Sequence, residues 1–463
     1  MWTLHPDCKT IVQDCWNTNI VGCPMFVLSK KLKVLKDKLK CWNKESFGNV
    51  HVYVKEAEQK LQQIQDKIQR DGHTEALLEE EKNAHKVFED ALTRQESFWK
   101  EKANLNWHLH GDRNTKFFHR MAKIKTASKS ITTLQDGEQV LTDHSQIADH
   151  VVAYYKNLFG TNFVLQDQLL AEEVIPNMIT TDINNLLTML PSQQEIKAAV
   201  FALNKDSAPG PDGFGAFFYQ YFWDIVKEDV VKAVLQFFTT SWILPGFNAN
   251  IIALIPKTPD AVSIDQYRPI AMANFKFKII SKVIADRLAN IMPSLISEEQ
   301  MGFIHDRNIK DSLCIASEAA NLLHNKSYGG NLALKIDITK AFDTLEWPFL
   351  LKVLKTFGFN DIFCNWIHVI LQSAFLSVSI NGKAHGYFNC TRGVRQGDPL
   401  SPLLFCLAED VLSRNISKLV DEGKLELIKG TRHVNVPSHA FYADDLMIFC
   451  KGKMAGLMAL KDL

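Results

Sequence analysis

The stretch "SHAFYADDLMIFC", residues 438–450, places two adjacent acids, Asp444 and Asp445, between apolar runs. An apolar strand, a tight turn and a second apolar strand are typical of a β-hairpin, so we predict a hairpin whose turn carries the acids. One aspartate in a turn is common for structural reasons. Two carboxylates about 4 Å apart, however, repel by about 4 kcal/mol at an effective dielectric of about 20. A divalent cation reverses the sign of that interaction, which indicates a metal site.

A metal site needs further oxygen ligands, and "NLALKIDITKAFDTLEW" (331–347) supplies one. Its apolar residues alternate as in a strand, with Asp337 among them. Pro348 suits the first turn of the following helix, which Gly358 closes. An acid on a strand beside a hairpin with two more is the arrangement for two-metal nucleotidyl transfer. Asp343 is expected at a helix N-terminus, pointing away from these acids.

Composition sets only broad limits. The chain has 463 residues, 46% of them hydrophobic, and no net charge, so it can hold more than one core and shows no overall preference for a polyanion. Its nine cysteines lack zinc-site spacing and predict free thiols in a reducing compartment. No secretory start and no run of membrane-spanning length is present, so we expect the nucleus and/or cytoplasm and no membrane partner.

The N-terminal part reads as helical and partly basic. Apolar residues recur every three or four positions over 28–100, with a break at "ESFGN" and a turn at Asp71-Gly72, which predicts a helical hairpin. Its lysine-rich face is either solvated or lies on nucleic acid. Residues 100–130 hold eight Lys or Arg against two acids, interleaved with aromatics. This patch either grips nucleic acid or anchors the segment to the next domain.

From about residue 191 the chain changes to short apolar runs, helical runs and Pro/Gly-rich loops, which indicates an α+β domain. "YADD" after an apolar strand resembles the palm motif of reverse transcriptases. The ordered blocks "SAPGPDGF", "ALIPK", "QYRPIAMANFKFKIISKVIADRL", "LKIDITKAFDTLEW", "GVRQGDPLSPLLFCLAEDVLSR" and "FYADDLMIFCKG" resemble the non-LTR (LINE-type) class, particularly its plant members. Upstream, "HGDRNTKFFH" resembles the segment that precedes the polymerase in plant elements, so the resemblance covers nearly the whole chain.

The resemblance implies roles for individual residues. Asp337 and Asp444 match the metal-binding aspartates, and Asp445 matches the less essential second acid of the hairpin. Lys257 and Arg268 match the finger cations that grip the incoming triphosphate, the lysine as a point charge and the arginine as a fork on phosphate oxygens.

Three further matches concern nucleotide selection. Phe342 matches the bulky ring that crowds the sugar 2′ position and so rejects ribonucleotides by collision. Gln396 and Gly397 match the loop and helix start that contact nucleotide and template. Pro399 and Pro402 favour a fixed turn entering that helix.

Two departures from the family pattern stand out. His305-Asp306 occupies positions where relatives usually carry a small residue and Gly before Arg307, which is expected to perturb a finger loop. The chain also ends at Leu463, 18 residues after Asp445. We therefore expect a truncated protein that lacks the thumb, the later palm strand with its pyrophosphate-protonating lysine, and an upstream endonuclease.

The resemblance implies the right-hand polymerase fold, with fingers and palm. We predict a helical, partly basic N-terminal extension (1–130), a linker or helical connector (131–190), and fingers and palm (191–463, core 249–463). The implied activity is RNA-directed DNA synthesis with two Mg²⁺ ions, an RNA template, a DNA primer or target, and dNTPs. The alternative is a catalytically dead, nucleic-acid-binding remnant. A group II intron-type maturase shares the palm but is disfavoured by "GDRNTKFFH" and the lysine-rich leader.

Overall fold

The computed structural model describes residues 2–46, 48–103, 130–160, 170–428 and 436–463. These residues form a mixed α/β structure with two compact units. The first unit comprises Met1–Gly22, Val27–Thr132 and Asp224–Val226, and the second comprises Cys23–Phe26, Thr133–Trp223 and Lys227–Leu463. The predicted functional boundaries at residues 130 and 190 stay a prediction.

The N-terminal part is helical, as predicted. Its helices are α1 (Pro6–Trp16), α2 (Pro24–Ser46), α3 (Val50–Asp71) and α4 (Glu75–Ala103). The predicted helical hairpin is formed by α3 and α4, with Gly72 at φ +84° between them. Its buried seam contains the apolar residues of the sequence stripe: Leu61, Ile64, Ile68 and Ala84, with Leu77 and Phe88 against them.

The predicted basic patch lies mainly at 104–129, outside the described residues. The hypothesis that this patch binds nucleic acid can be tested in solution. If the patch grips nucleic acid, replacing Lys116, Arg120 and Lys123 by Ala should flatten the salt dependence of RNA binding, because each neutralised phosphate releases counterions. An unchanged slope in filter-binding titrations over a range of salt would contradict the nucleic-acid interpretation.

The second unit holds the remaining elements. Its helices are α5 (His144–Gly160), α6 (Leu170–Val174), α7 (Thr181–Thr188), α8 (Gln193–Ala202), α9 (Ala216–Tyr221), α10 (Trp223–Thr240), α11 (Phe275–Ala289), α12 (Met292–Leu295), α13 (Ile309–Leu322), α14 (Ala341–Thr344), α15 (Trp347–Phe357), α16 (Asp361–Gln372), α17 (Ser401–Asp421) and α18 (Met454–Lys461). Its strands are β1 (Leu134–Asp136), β2 (Gln139–Leu141), β3 (Ala249–Pro256), β4 (Tyr267–Ala273), β5 (Asn331–Asp337), β6 (Phe375–Ile380), β7 (Lys383–Asn389), β8 (His439–Tyr442) and β9 (Asp445–Lys451).

The two larger sheets of this unit contain strands β3 to β9. Strands β4-β3-β6-β7 form one sheet, in which β3 and β6 run parallel. Strands β5-β9-β8 form the other, antiparallel throughout. One face of the second sheet packs on helix α17 through a core that includes Phe441, Leu446 and Ile448 against Ile416 and Leu419. The opposite face packs on helix α13 through Ala440 and Phe449 against Ala319, so the apolar runs that flank the acids are buried on both faces of the sheet.

The predicted hairpin and strand are present. Strand β5 ends at Asp337, and the next long helix, α15, has Pro348 in its first turn and Gly358 at φ +100° as its cap. One detail differs: the turn residues are Ala443 and Asp444, whereas Asp445 already pairs in β9. The mixed fold agrees with fingers and palm; the expected absence of a thumb stays a prediction.

The described part of the chain contains no helix that is both long enough and apolar enough to span a membrane. All nine cysteines are free thiols in the structure, as their spacing predicts.

His439 on strand β8 gives the second unit a pH-dependent stability. It is fully buried, its Nε2 lies 2.8 Å from the Ser413 hydroxyl and its Nδ1 lies 2.7 Å from that of Ser438. Burial lowers the pKa of His439 to about 4, whereas an unfolded histidine titrates near 6.5. Between these values the unfolded chain binds the extra proton, so acid favours unfolding.

We expect the free energy of unfolding to lose about 3 kcal/mol from this histidine as the pH falls from about 6.5 to 4. Urea titrations of wild type and His439→Gln at several pH values check this, because other titrating groups cancel in the difference. Parallel pH profiles for the two proteins would contradict it.

Candidate active site

The hairpin turn and the end of β5 open into a cavity of about 800 Å³. Asp337 and Asp444 both line it, the first exposed and the second half-buried. They meet there because the register pairs Asp337 with Asp445 across β5 and β9, one residue past Asp444. Acids more than a hundred positions apart thus share one cavity. The two predicted metal ligands therefore line one cavity, as a shared metal site requires.

Asp445 is placed differently from the other two acids. It does not line the cavity, and its exposed carboxylate lies 3.2 Å from the Lys335 ammonium. Residues paired directly across antiparallel strands have Cβ atoms about 4.5–5.5 Å apart on one face of the sheet, so Asp445 neighbours Asp337. An exposed ion pair of this kind stabilises the fold little. Asp445 therefore lies beside Asp337, but its side chain, unlike those of Asp337 and Asp444, does not line the cavity.

Two of the predicted cations line the same cavity. Lys257 follows β3 and Arg268 lies on β4, at the end of the β3–β4 hairpin where residues 257–266 connect the two strands. The Lys257 amide donates to the Gln266 carbonyl at 2.8 Å, which closes the hairpin. Both side chains are exposed, and within the described ranges neither forms an ion pair with a carboxylate. Their charges are therefore available to an anionic ligand.

A third cation, Lys340, was not among the predicted site residues. It lines the cavity from a left-handed backbone at φ +54°, and its ammonium lies 2.5 Å from the Tyr154 hydroxyl and 4.9 Å from that ring's centre. Tyr154 comes from α5, inside the segment 131–190 that was predicted to be a connector. Lys340 comes three residues after Asp337 in the chain, and this closeness is the signal that could have identified it as a site residue.

Asp343 lies in the first turn of α14, as expected, but the expected direction was wrong. It is buried and lines the same cavity. Burial raises the pKa of Asp343 to about 7, although the charges of Lys340 and Lys257 act in the opposite direction. The site therefore carries a carboxyl group that titrates near neutrality.

The remaining acid near the turn is Glu409 on α17. Burial, reinforced by the charge of Asp444, raises the pKa of Glu409 to about 9. At neutral pH Glu409 is therefore protonated and uncharged, so it does not repel the Asp444 carboxylate.

Phe342 also lines the cavity and is held on two sides. Its ring stacks on Phe405 with centroids 4.5 Å apart and meets Phe303 edge-on at 6.2 Å. Its carbonyl accepts from the Val394 amide at 2.7 Å. A ring packed in this way keeps its position when a ligand arrives.

Gln396 and Gly397 also line the cavity. The Gln396 carbonyl accepts from the Ala271 amide at 2.8 Å. Gly397 has φ +104°, and a Cβ there would lie 2.9 Å from the Ala271 carbonyl oxygen. Both the backbone conformation and the close approach therefore require glycine. Helix α17 follows, with Pro402 in its first turn, as predicted.

Buried polar groups fix this loop. Arg395 donates to the Asn248 side chain at 2.5 Å and lies 3.5 Å from the Asp398 carboxylate. Asp398 also accepts from the Ser281 hydroxyl and from the Leu400 amide.

The departure at His305-Asp306 has a local explanation. Asp306 has φ +64°, a region that glycine enters freely and that aspartate tolerates better than most residues. The exposed His305 ring lies 2.8 Å from the Asp306 carboxylate. Arg307 then donates to the Ser297 and Gln300 carbonyls at 2.6 and 2.7 Å. The loop thus has a left-handed residue directly before Arg307.

The donor set suits a hard divalent cation. Asp337 and Asp444 offer carboxylate oxygens, and Mg²⁺ in proteins is usually bound by one or two carboxylates plus waters and substrate phosphates. In the described ranges no group of three or more His, Cys, Asp or Glu side chains is arranged to hold a metal. Two cavity-facing carboxylates beside cations that can bind phosphate therefore fit a magnesium site completed by a nucleotide.

A strand ending in aspartate, a hairpin presenting a second, and cations around one cavity are consistent with the palm of a polymerase. Residues 255–463 match the family of reverse transcriptases (RNA-dependent DNA polymerases). This part of the chain, somewhat less than half of it, is therefore similar to reverse transcriptases, a family of nucleotidyltransferases.

Several similar proteins come from transposons and other mobile elements. The chain is 30% identical over 304 residues to the transposon TX1 uncharacterized 149 kDa protein of Xenopus laevis, which covers 64% of this chain and 23% of that protein. It is 26% identical to the retrovirus-related Pol polyprotein from the type-2 retrotransposable element R2DM of Drosophila melanogaster. That match covers 58% of this chain and 24% of the polyprotein. It is 23% identical to the RNA-directed DNA polymerase from mobile element jockey of Drosophila melanogaster. That match covers 56% of this chain and 27% of the polymerase. The chain thus spans about a quarter of the length of these curated relatives.

Proposed function

We propose that the chain adds deoxynucleotides to a primer 3′-hydroxyl under the direction of an RNA template, as the reverse transcriptase of a non-LTR element. The observation that carries the proposal is that Asp337 and Asp444 line one cavity together with Lys257 and Arg268. Carboxylates for metal ions and cations for a triphosphate are the two requirements of this reaction.

The residues of the cavity have separate tasks in this reaction. The primer 3′-hydroxyl loses its proton to solvent as its oxygen attacks the α-phosphorus. The new oxygen–phosphorus bond forms while the bond from the α-phosphorus to the oxygen that bridges to the β-phosphate breaks, and pyrophosphate leaves with that oxygen. Asp337 and Asp444 would hold two Mg²⁺ ions, which would supply charge stabilisation at the attacking and leaving oxygens. Arg268 and Lys257 bind phosphate oxygens and orient the nucleotide. Phe342 limits the space at the sugar, and the Gln396-Gly397 loop supports nucleotide and template.

The proposed partners follow from this chemistry: an RNA template, a DNA primer or target, and dNTPs. The nucleus and/or cytoplasm stays the predicted location.

Primer extension tests the function directly. The full chain, an RNA template with an annealed DNA primer, dNTPs and Mg²⁺ should give elongated primers, and omitting Mg²⁺ should abolish them. Binding of the primer–template without any incorporation would instead support the alternative, a catalytically dead remnant.

Phe342 provides a prediction about sugar selection. Phe342→Val should increase the relative use of ribonucleotides by at least about 10-fold, within the range that one pocket contact usually contributes. The reason is that the smaller side chain leaves room for a 2′-hydroxyl. The measurement compares kcat/KM for one rNTP and its dNTP. Phe349→Val, at a ring outside this cavity, is the matched control; an equal change in both variants would contradict the role of Phe342.

A further inference from the structure

The turn that presents Asp444 rests on a buried glutamine. Gln300 is 2% exposed, and its side-chain oxygen accepts from the Ala443 amide at 3.1 Å. Its side-chain nitrogen lies 3.3 Å from the Ala443 carbonyl, to which it donates. One side-chain amide therefore satisfies both backbone groups of the residue directly before Asp444.

Ala443 needs such support. Its φ of +55° lies in the left-handed region, which an alanine adopts only against a steric cost. Hydrogen bonds from outside the hairpin compensate for such a conformation when the surrounding structure determines it. Without them the turn is free to relax towards ordinary backbone angles, and the Asp444 carboxylate would move with it.

The orientation of the Gln300 amide is itself fixed. Its nitrogen donates to the Glu409 carboxyl at 2.5 Å, and its oxygen accepts from the Gly302 amide at 2.7 Å. Reversing the amide would place its nitrogen against the Gly302 and Ala443 N–H donors and its oxygen against the Ala443 carbonyl. The network therefore permits one orientation, the one that grips both groups of Ala443.

The backbone around Gln300 is tied to the same hairpin. The Phe441 amide donates to the Glu299 carbonyl at 2.8 Å, and the Met301 amide donates to the Phe441 carbonyl at 2.9 Å. A Cβ on Gly302 would lie 2.5 Å from the Ala443 nitrogen, so this segment lies directly against the turn. The position of Gln300 relative to the turn is therefore determined by the backbone as well as by its own side chain.

We propose that Gln300 is a positioning residue: it holds the β8–β9 turn so that Asp444 faces Asp337 in the geometry that binds a divalent cation. The inference rests on the proposed function, since it assigns a task within the same site. Gln300 itself need touch neither metal nor nucleotide. Residues that orient a metal's ligands usually contribute about 10- to 100-fold to metal affinity or activity.

The test uses Gln300→Met, which keeps the side-chain length but removes all four hydrogen bonds. We expect Mn²⁺ affinity, measured by calorimetry with a dNTP present, to fall about 10- to 100-fold. The Mg²⁺ concentration for half-maximal primer extension should rise by a similar factor, while the KM for primer–template stays unchanged. A merely structural role would lower thermal stability without this metal dependence.

Asn415→Leu is the matched control, because Asn415 is a buried amide on α17 that donates to the Val411 carbonyl at 2.8 Å, with no contact to the turn. It should lower thermal stability yet leave Mn²⁺ affinity as in wild type. Equal Mn²⁺ affinities in wild type and Gln300→Met, or equal losses in both variants, would overturn the inference. If Gln300→Met does not fold, Gln300→Asn, whose shorter amide cannot span the same groups, takes its place with the same expectation.

The two proposals fail separately. Incorporation by wild type that Asp444→Asn abolishes, together with an unchanged Gln300→Met, would remove the role of Gln300 alone. A wild-type chain that neither binds Mn²⁺ nor extends a primer would remove both.

Discussion

Replacing Asp337 or Asp444 by asparagine is expected to lower primer extension on an RNA template by at least about 1000-fold. The loss of one metal-binding carboxylate removes several kcal/mol of transition-state stabilisation, and each 1.36 kcal/mol is about a factor of ten in rate. Both acids line the cavity, so the two single variants should be similarly inactive. Single-nucleotide incorporation at saturating dNTP measures the effect.

Asp445→Asn is the internal comparison for this prediction. Asp445 lies outside the cavity lining and pairs with Lys335, so its replacement should cost far less, about 10-fold or below. Circular dichroism and thermal unfolding of all three variants control for misfolding. An Asp445 variant as inactive as the other two would show that the acid leaves Lys335 during catalysis. Normal activity in Asp444→Asn would contradict the proposed mechanism itself.

The second large effect concerns nucleotide affinity. Arg268→Ala and Lys257→Ala should each raise the KM for dNTP about 10- to 100-fold, because a hydrogen bond to a charged group contributes about 1.5–3 kcal/mol. Arg268→Lys should recover only part of the loss, since a lysine cannot form the two parallel bonds of a guanidinium fork.

Lys383→Ala is the matched control for the finger cations, because Lys383 is exposed on β7 and does not line the cavity. Steady-state kinetics over a range of dNTP concentrations separates KM from kcat. A KM for the Arg268 and Lys257 variants that equals that of the control would show that these cations do not bind the triphosphate.

Local sequence pattern predicted the elements that hold the acids. Alternating apolar residues mark β5, whereas two continuous apolar runs around a turn mark the hairpin, because successive residues of its strands pack on opposite faces of the sheet and both faces are covered. The pairing of Asp337 with Asp445 is a matter of register between distant segments. The need of a metal site for further acids, and then the resemblance to a family, connected those segments; their spacing in the chain did not.

The missed features depend on tertiary surroundings. The left-handed conformations of Lys340 and Ala443 carry no sequence signal, since neither residue favours positive φ. Asp343 was expected at a helix start, pointing away from the other acids, yet it is buried and lines the same cavity. Tyr154 reaches the cavity from a segment predicted to be a connector. Each case was decided by packing that a local pattern does not encode.

The most direct test of the account is a crystal structure of the chain with a dNTP and Mn²⁺, located by its anomalous scattering. We expect manganese in the cavity, coordinated by carboxylate oxygens of both Asp337 and Asp444 and by phosphate oxygens of the nucleotide. Nucleotide bound in the cavity without manganese, or manganese bound away from these two side chains, would contradict the claim that they form the metal site of a polymerase.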